Sequence, residues 1–148
     1  MKKIFNRKAR YDYELGESLE AGIVLTGAEV KSVKEGKISL EEGFARIDQN
    51  GEMWLINCHI HPYKFADNRN YDPSRSRKLL LKKSEILNWF KKTENKNLSF
   101  IPTAVYTRKN KIKIELAIAK GKKKWDKRAA IRKRDLNREA QKIMKAKG

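Results

Sequence analysis

The 148-residue sequence predicts a mainly β fold: a small antiparallel β-barrel with a few short helices and a disordered basic C-terminal tail. Three observations lead there. Short apolar–polar alternations recur through the first 119 residues, two of them flank Asn50-Gly51, and the last 29 residues carry a net charge of +10 with almost no large apolar side chains. A period of two places one face of a strand against a core, and Asn-Gly is the strongest short-range hairpin signal. A segment as charged as the last one cannot bury enough apolar surface to offset the entropy of ordering itself. The chain divides into a folded body over 1–119 and a solvated arm over 120–148.

Taken in order, residues 1–13 form a basic segment, with Lys2, Lys3, Arg7, Lys8 and Arg10 before the first acid, Asp12. Leu19, Ala21, Ile23 and Leu25 alternate as a half-buried strand would. A short helix follows, with Thr26 as its cap, Glu29 placed for a capping box, Val30 and Val33 on one face and Gly36 to stop it. Residues 44–48 and 53–60 form the hairpin about Asn50-Gly51. The polar stretch 61–77, bracketed by Pro62 and Pro73, reads as a long loop, and a loop of that length in a small domain is usually functional or mobile. Leu79, Leu80 and Leu81 make a short apolar run. Ser84 is placed to cap a helix whose apolar face is Ile86, Leu87 and Phe90. A strand over 100–106 contains Pro102, which argues for an edge or a bulge. Lys109-Asn110 makes a turn, and Ile112, Ile114, Leu116 and Ile118 then give the clearest alternation. Short strands joined by tight turns suit an antiparallel barrel better than a helical bundle or a βαβ fold.

The chain holds 36 Lys and Arg against 18 Asp and Glu, a net charge of +18 that calls for a polyanionic partner, nucleic acid before membrane. No apolar run approaches the ~18 residues of a spanning helix. The basic N-terminus has no apolar stretch of the kind a secretory signal needs. One cysteine, Cys58, rules out an internal disulfide framework and fits a reducing compartment, with the cytosol as the default.

Catalytic chemistry finds little support. Cys58, His59 and His61 are the residues that tempt toward a metal or a nucleophile, yet neighbouring strand residues point to opposite faces and further Cys or His ligands are missing. A packed thiol and two surface imidazoles is the better reading. No phosphate-binding glycine loop stands out, and neither metal nor cofactor is expected. Three basic clusters, at 2–10, 75–83 and 120–147, weigh more than any one lysine, which is usually just solvated. Arg75, Arg77 and Lys78 end the long loop, where paired arginines fork onto phosphates or stack on unpaired bases. Tyr11, Tyr13, Tyr63 and Tyr71 stand near the clusters, as stacking platforms or as edge packing. In the arm, Leu136, Ala140, Ile143 and Met144 fall on one narrow stripe of a potential helix.

Four motifs carry a resemblance: NRKARYDY at 6–13, EAGIVLTGAEVKSVKEGK at 20–37, DPSRSRKLLL at 72–81 and AKGKKKWDKR at 119–128. In that order they resemble the SmpB family, the tmRNA-binding (SsrA-binding) proteins of bacterial trans-translation, over nearly the whole chain. The resemblance implies an OB-like barrel and an RNA-binding adaptor without enzymatic activity. Such an adaptor would bind the tRNA-like domain of tmRNA and reach stalled ribosomes with elongation factor Tu and GTP. It implies that Asn6, Glu20 and Leu80 belong to the RNA-recognising patch, with Lys8, Arg10, Arg75, Arg77 and Lys78 supplying phosphate and base contacts. Gly121, Lys122 and Lys123, then Asp126, Lys127 and Arg128, would act in the small-subunit decoding centre. Ile143 and Met144 would help seat the arm as a helix in the empty mRNA channel. Tyr71 stands where the family often has His, and Trp125 where it has Tyr or His. A monomer is expected. A ribosome-assembly protein is the rival reading, separable by its choice of RNA, and an RNA-modifying enzyme is disfavoured by the missing catalytic constellation.

Overall fold

The computed structural model describes residues 1–121. The alternation near the C-terminal end of the body becomes β9 (Lys111–Gly121), whose Ile112, Ile114 and Leu116 enter the core while Lys111 faces out. It pairs with β8 (Leu98–Arg108) through a two-residue turn in which Lys109 and Asn110 have φ of 52° and 63°. Two left-handed residues match the right-handed twist of a tight hairpin. Pro102 lacks an N–H to give the ladder, and the β8–β9 register shifts between Pro102 and Ala104. The proline therefore marks a bulge.

On its other edge β9 pairs with β2 (Tyr13–Ile23), from Tyr13 opposite Gly121 to Gly22 opposite Lys113. The end of β2 pairs with β7 (Arg77–Leu80), β7 with β5 (Met53–Ile56), β5 with β4 (Phe44–Ile47), and β4 with β8 at Ala45 and Phe100. Since β8 also pairs with β9, the order β8-β4-β5-β7-β2-β9 returns to its start, and these antiparallel strands close a ring. The mainly β class with few short helices is what the sequence predicts. The ring surrounds Met53, Leu55, Leu79, Val105, Ile114 and Leu116, all buried. A small separate ladder joins β3 (Ile38–Ser39) and β6 (His59–Ile60).

Asp48 sets the β4–β5 hairpin as much as Asn50-Gly51 does. Its Oδ1 accepts from the Asn50 and Glu52 amides at 2.9 and 3.0 Å, and Gly51 takes the left-handed φ of 77°. Helix α2 (Gly27–Lys34) has the expected capping box: the Glu29 amide donates to Thr26 Oγ1 at 3.2 Å and the Thr26 amide to Glu29 Oε1 at 3.0 Å. Gly36, at φ 80°, ends it.

Two local expectations are corrected. Helix α3 (Lys83–Thr93) is capped at Lys82, not Ser84, because Glu85 Oε1 accepts the Lys82 amide at 3.0 Å and starts the helix earlier. Its buried face is Ile86 and Trp89, while Leu87 and Phe90 are exposed at 54% and 42%. Trp89 wins the core position by stacking on Phe100, ring centroids 5.1 Å apart. The basic N-terminal segment is also more ordered than its charge implies. It forms β1 (Ile4–Phe5), paired with β8 at Ala104 and Val105, and α1 (Arg7–Asp12), whose Ala9 packs on Ile101 and Ala119.

Cys58 is buried at 1% exposure, and burial pushes its thiol up to about 12 against the lowering influence of Arg77. The thiolate is the nucleophile, so native protein at pH 8 should be inert to iodoacetamide and react only when unfolded. Labelling of the native chain at the unfolded rate would show that this part of the core opens readily.

Strand β9 runs to Gly121, two residues past the point where the sequence reading divides body from arm. The expectations for Lys122, Lys123, Asp126, Lys127, Arg128, Ile143 and Met144 lie outside the described residues. Among the described residues, no helix is long and apolar enough to cross a membrane.

Candidate nucleic-acid interface

The 72–81 motif enters β7 with its side chains alternating, Arg77 and Leu79 inward, Lys78 and Leu80 outward. Arg77 is fully buried, at 0% exposure. Its Nε and Nη2 donate to Glu29 Oε2 at 2.9 and 2.6 Å, Nη1 to the Cys58 carbonyl at 2.7 Å, and Nη2 also to the Pro73 carbonyl at 2.9 Å. Nη2 reaches the Tyr71 hydroxyl at 3.1 Å, and that hydroxyl lies 2.9 Å from the Ile60 carbonyl, which takes its proton. Arg75, partly exposed, forks onto both Glu29 oxygens from outside. Burial works against the Glu29 carboxylate, but the Arg75 guanidinium, the Thr26 amide and Arg77 outweigh it and hold its pKa at about 2. One carboxylate thus ties α2 to the C-terminal part of the 61–76 loop, and Arg77 and Tyr71 carry the tie on to the Cys58 and Ile60 carbonyls before the loop.

This corrects the part read for Arg77. A guanidinium sealed from solvent with its donors engaged has nothing to offer a phosphate. Asn6 is placed similarly, 2% exposed: Oδ1 accepts from the Ala9 amide at 3.1 Å, and Nδ2 donates to the Leu40 and Pro102 carbonyls at 3.2 and 2.8 Å. Both residues can act on a bound RNA only through the backbone they position.

The exposed members converge better. Gly22 of β2 lies opposite Leu80 and Lys113, so Glu20, two residues earlier on the same face, falls beside them. Leu80 is 51% exposed and covers Gly22, where an added Cβ would come within 3.2 Å of the Leu80 Cβ. With Val30, Lys111 and Lys113 they line a shallow hollow of about 310 Å³. Glu20 Oε2 accepts from Arg108 Nη1 at 2.7 Å, while Oε1 is shielded from solvent without a protein partner. Lys78 is half exposed and pairs with Glu52.

Beside this face the N-terminal segment adds an aromatic edge. Phe5 is half exposed, with Lys3 Nζ 5.2 Å and the Arg10 guanidinium 5.7 Å from its ring, and Lys3 also lies 5.0 Å from the Tyr106 ring. Lys8 is not part of this group. It pairs with Glu42 at 2.7 Å and lines a separate hollow with Asp12, Glu41 and Asp48. Sequence reasoning missed Lys3, Phe5, Tyr106, Arg108, Lys111 and Lys113 as a group. The outward phase of the β9 alternation was the available signal for the last two. Of the four tyrosines read as stacking platforms or edge packing, Tyr71 is committed to the Glu29 network and Tyr13 packs on the small cluster about Ala9. His59 and His61 meet edge to face at 4.7 Å, and among the described residues no three His, Cys, Asp or Glu are grouped to hold a metal.

The SmpB protein family model matches residues 3–146. The chain belongs to the SmpB family. The match spans all four motifs and continues through the arm. Among SmpB relatives, the SsrA-binding protein of Carboxydothermus hydrogenoformans is 49% identical over 99% of this chain and 99% of its own. That of Persephonella marina is 51% identical over 96% and 93%. A solved SmpB structure, described as "tmRNA-SmpB: a journey to the center of the bacterial ribosome", is 41% identical, with a TM-score of 0.70 over 88% of this chain and 94% of that one. For an SmpB chain, the face around Glu20 and Leu80 is where the second and third motifs meet in space, though they are far apart in sequence.

Proposed function

We propose that this chain is an RNA-binding adaptor, not an enzyme, that recognises the tRNA-like domain of tmRNA and carries it to stalled ribosomes. The observation that carries the reading is the near-full-length likeness to SsrA-binding proteins at about half identity, joined to the likeness to an SmpB solved with tmRNA. The exposed face suits that role: Leu80 would offer an apolar contact, Glu20 would accept from base amino groups through the Oε2 that Arg108 holds, and Arg10, Arg75, Lys78, Lys111 and Lys113 would meet phosphates. Asn6 and Arg77 hold the backbone under that face. Lys8 adds charge at its margin. In this reading the arm acts on the ribosome, with Gly121, Lys122, Lys123, Asp126, Lys127 and Arg128 in the decoding centre and Ile143 and Met144 in the mRNA channel. Elongation factor Tu with GTP rides on the RNA, and the protein works as a cytoplasmic monomer.

The test is salt-titrated binding of the full chain to the tRNA-like domain of tmRNA and to an elongator tRNA of similar length. A preference for the tmRNA domain that persists at high salt is expected, because shape and base contacts survive screening while counterion release does not. Leu80→Asp should weaken that binding about tenfold without unfolding a half-exposed site. Equal affinity for both RNAs, vanishing with salt, would move the protein to a structural role in ribosome assembly.

A further inference from the structure

We infer that the tip of the 61–76 loop is a second RNA-contacting site, in which Phe65 and Tyr63 take an unpaired nucleobase and Lys64 and Lys31 take the phosphates beside it. Phe65 is the most exposed large hydrophobic side chain among the described residues, at 75%. Its backbone is held there. The Ala66 amide donates to the Tyr63 carbonyl at 3.0 Å, and Asn68 Nδ2 donates to the Tyr63 and Ala66 carbonyls at 2.9 and 3.1 Å. The base of the loop is fastened in turn through Arg75 and Arg77 to Glu29 and through Tyr71 to the Ile60 carbonyl. An apolar ring fixed in water adds nothing to folding, but a fixed platform lowers the ordering cost of whatever binds it.

The surroundings of the ring select the ligand class. Phe65 meets Tyr63 edge to face at 5.5 Å, which turns the two rings across one another and leaves a stacking surface on the outer one. Lys64 Nζ lies 4.9 Å from the Phe65 ring, and Lys31, from α2, lies 5.5 Å from the Tyr63 ring. The nearby carboxylate of Asp67 is already forked by Arg69, with bonds of 2.7 to 3.2 Å. An apolar protein partner would have to desolvate both ammonium groups without pairing them. A nucleobase with its flanking phosphates meets ring and ammonium together, and stacking accepts any base. None of these residues belongs to the Glu20–Leu80 face, so the site extends the RNA contact beyond that face.

The test compares wild type, Phe65→Ala and Phe65→Trp as full chains on two RNAs: a short single-stranded oligoadenylate and a blunt duplex with the same number of phosphates. The basic arm contributes to both, so their ratio isolates stacking. Phe65→Ala should weaken oligoadenylate binding about tenfold and duplex binding less than about twofold, with Phe65→Trp restoring the loss. In the wild type, 4-thiouridine placed in the oligonucleotide should photocrosslink to the peptide that holds Tyr63 and Phe65. An unchanged oligoadenylate affinity, an equal loss on both RNAs, or crosslinks confined to other peptides would overturn the inference. Failure here with the tmRNA preference intact sinks this site alone. A chain without that preference that still loses oligoadenylate with Phe65→Ala sinks the proposed function alone.

Discussion

Arg77→Ala should destabilise the folded body by about 3–5 kcal/mol, the loss expected when one member of a buried ion pair is removed and its partner stays behind. The substitution strips Glu29 of two hydrogen bonds and leaves the Cys58 and Pro73 carbonyls without this donor. Arg77→Lys should recover little, because one ammonium cannot reproduce a fork directed at several acceptors. Arg75→Ala should cost less, since Arg75 is about one-third exposed and water can replace it. Urea unfolding midpoints of the three variants decide the matter, and an Arg77→Ala loss below about 1 kcal/mol would show that the network is dispensable. The same carboxylate sets a pH dependence. Its folded pKa of about 2 lies below the usual 4.5, so its contribution is present above pH 4.5 and fades as the pH falls toward 2. Glu29→Gln should flatten that part of the stability profile.

Removing everything after Gly121 should abolish peptide tagging on stalled ribosomes while leaving affinity for the tmRNA domain at high salt nearly unchanged. Residues 122–148 carry +9 of the chain's +18, so truncation should lower the salt slope of RNA binding. It should spare the part of the affinity that comes from Glu20, Leu80 and the aromatic edge. Alanines at Asp126, Lys127 and Arg128 should act in the same direction, stopping transfer without weakening tmRNA binding. A tenfold fall in tmRNA affinity from either change would reassign the arm to tmRNA itself.

Local signals were legible, and distant partnerships were not. Alternation exposed β9, the Thr26–Glu29 spacing exposed α2, and Pro102 exposed the bulge, because each depends on a few adjacent residues. As a member of the RNA-recognising patch, Asn6 entered only through family likeness. Its partners, Leu40 and Pro102, lie 34 and 96 residues away, and no short window contains them. Arg77 sat among surface-like neighbours in a basic run, and the carboxylate that buries it is 48 residues upstream, where it was legible only as a cap. In α3, apolar residues at 86, 87, 89 and 90 cover too wide an arc for periodicity to choose a face, and stacking on Phe100 chose Trp89. Glu20 entered through family likeness, since charge alone would not nominate an acid on an RNA-binding face. Phe5 and Tyr106 meet over Lys3 only because β1 pairs with β8.

Ring closure orders events during synthesis. Among the described residues, strand β2 forms its long ladder only with β9 and β1 pairs only with β8, so the first elements made wait for nearly the last. Until residue 106 has been added an emerging chain holds Phe5 without its neighbour Tyr106, and until residue 121 it holds β2 with most of one edge unpaired. Pairings between elements so distant in sequence make for slow folding. Charge repels other copies while the strand edges stand open. The basic N-terminal residues would then serve the nascent chain first, as a guard against aggregation, and the RNA only afterwards.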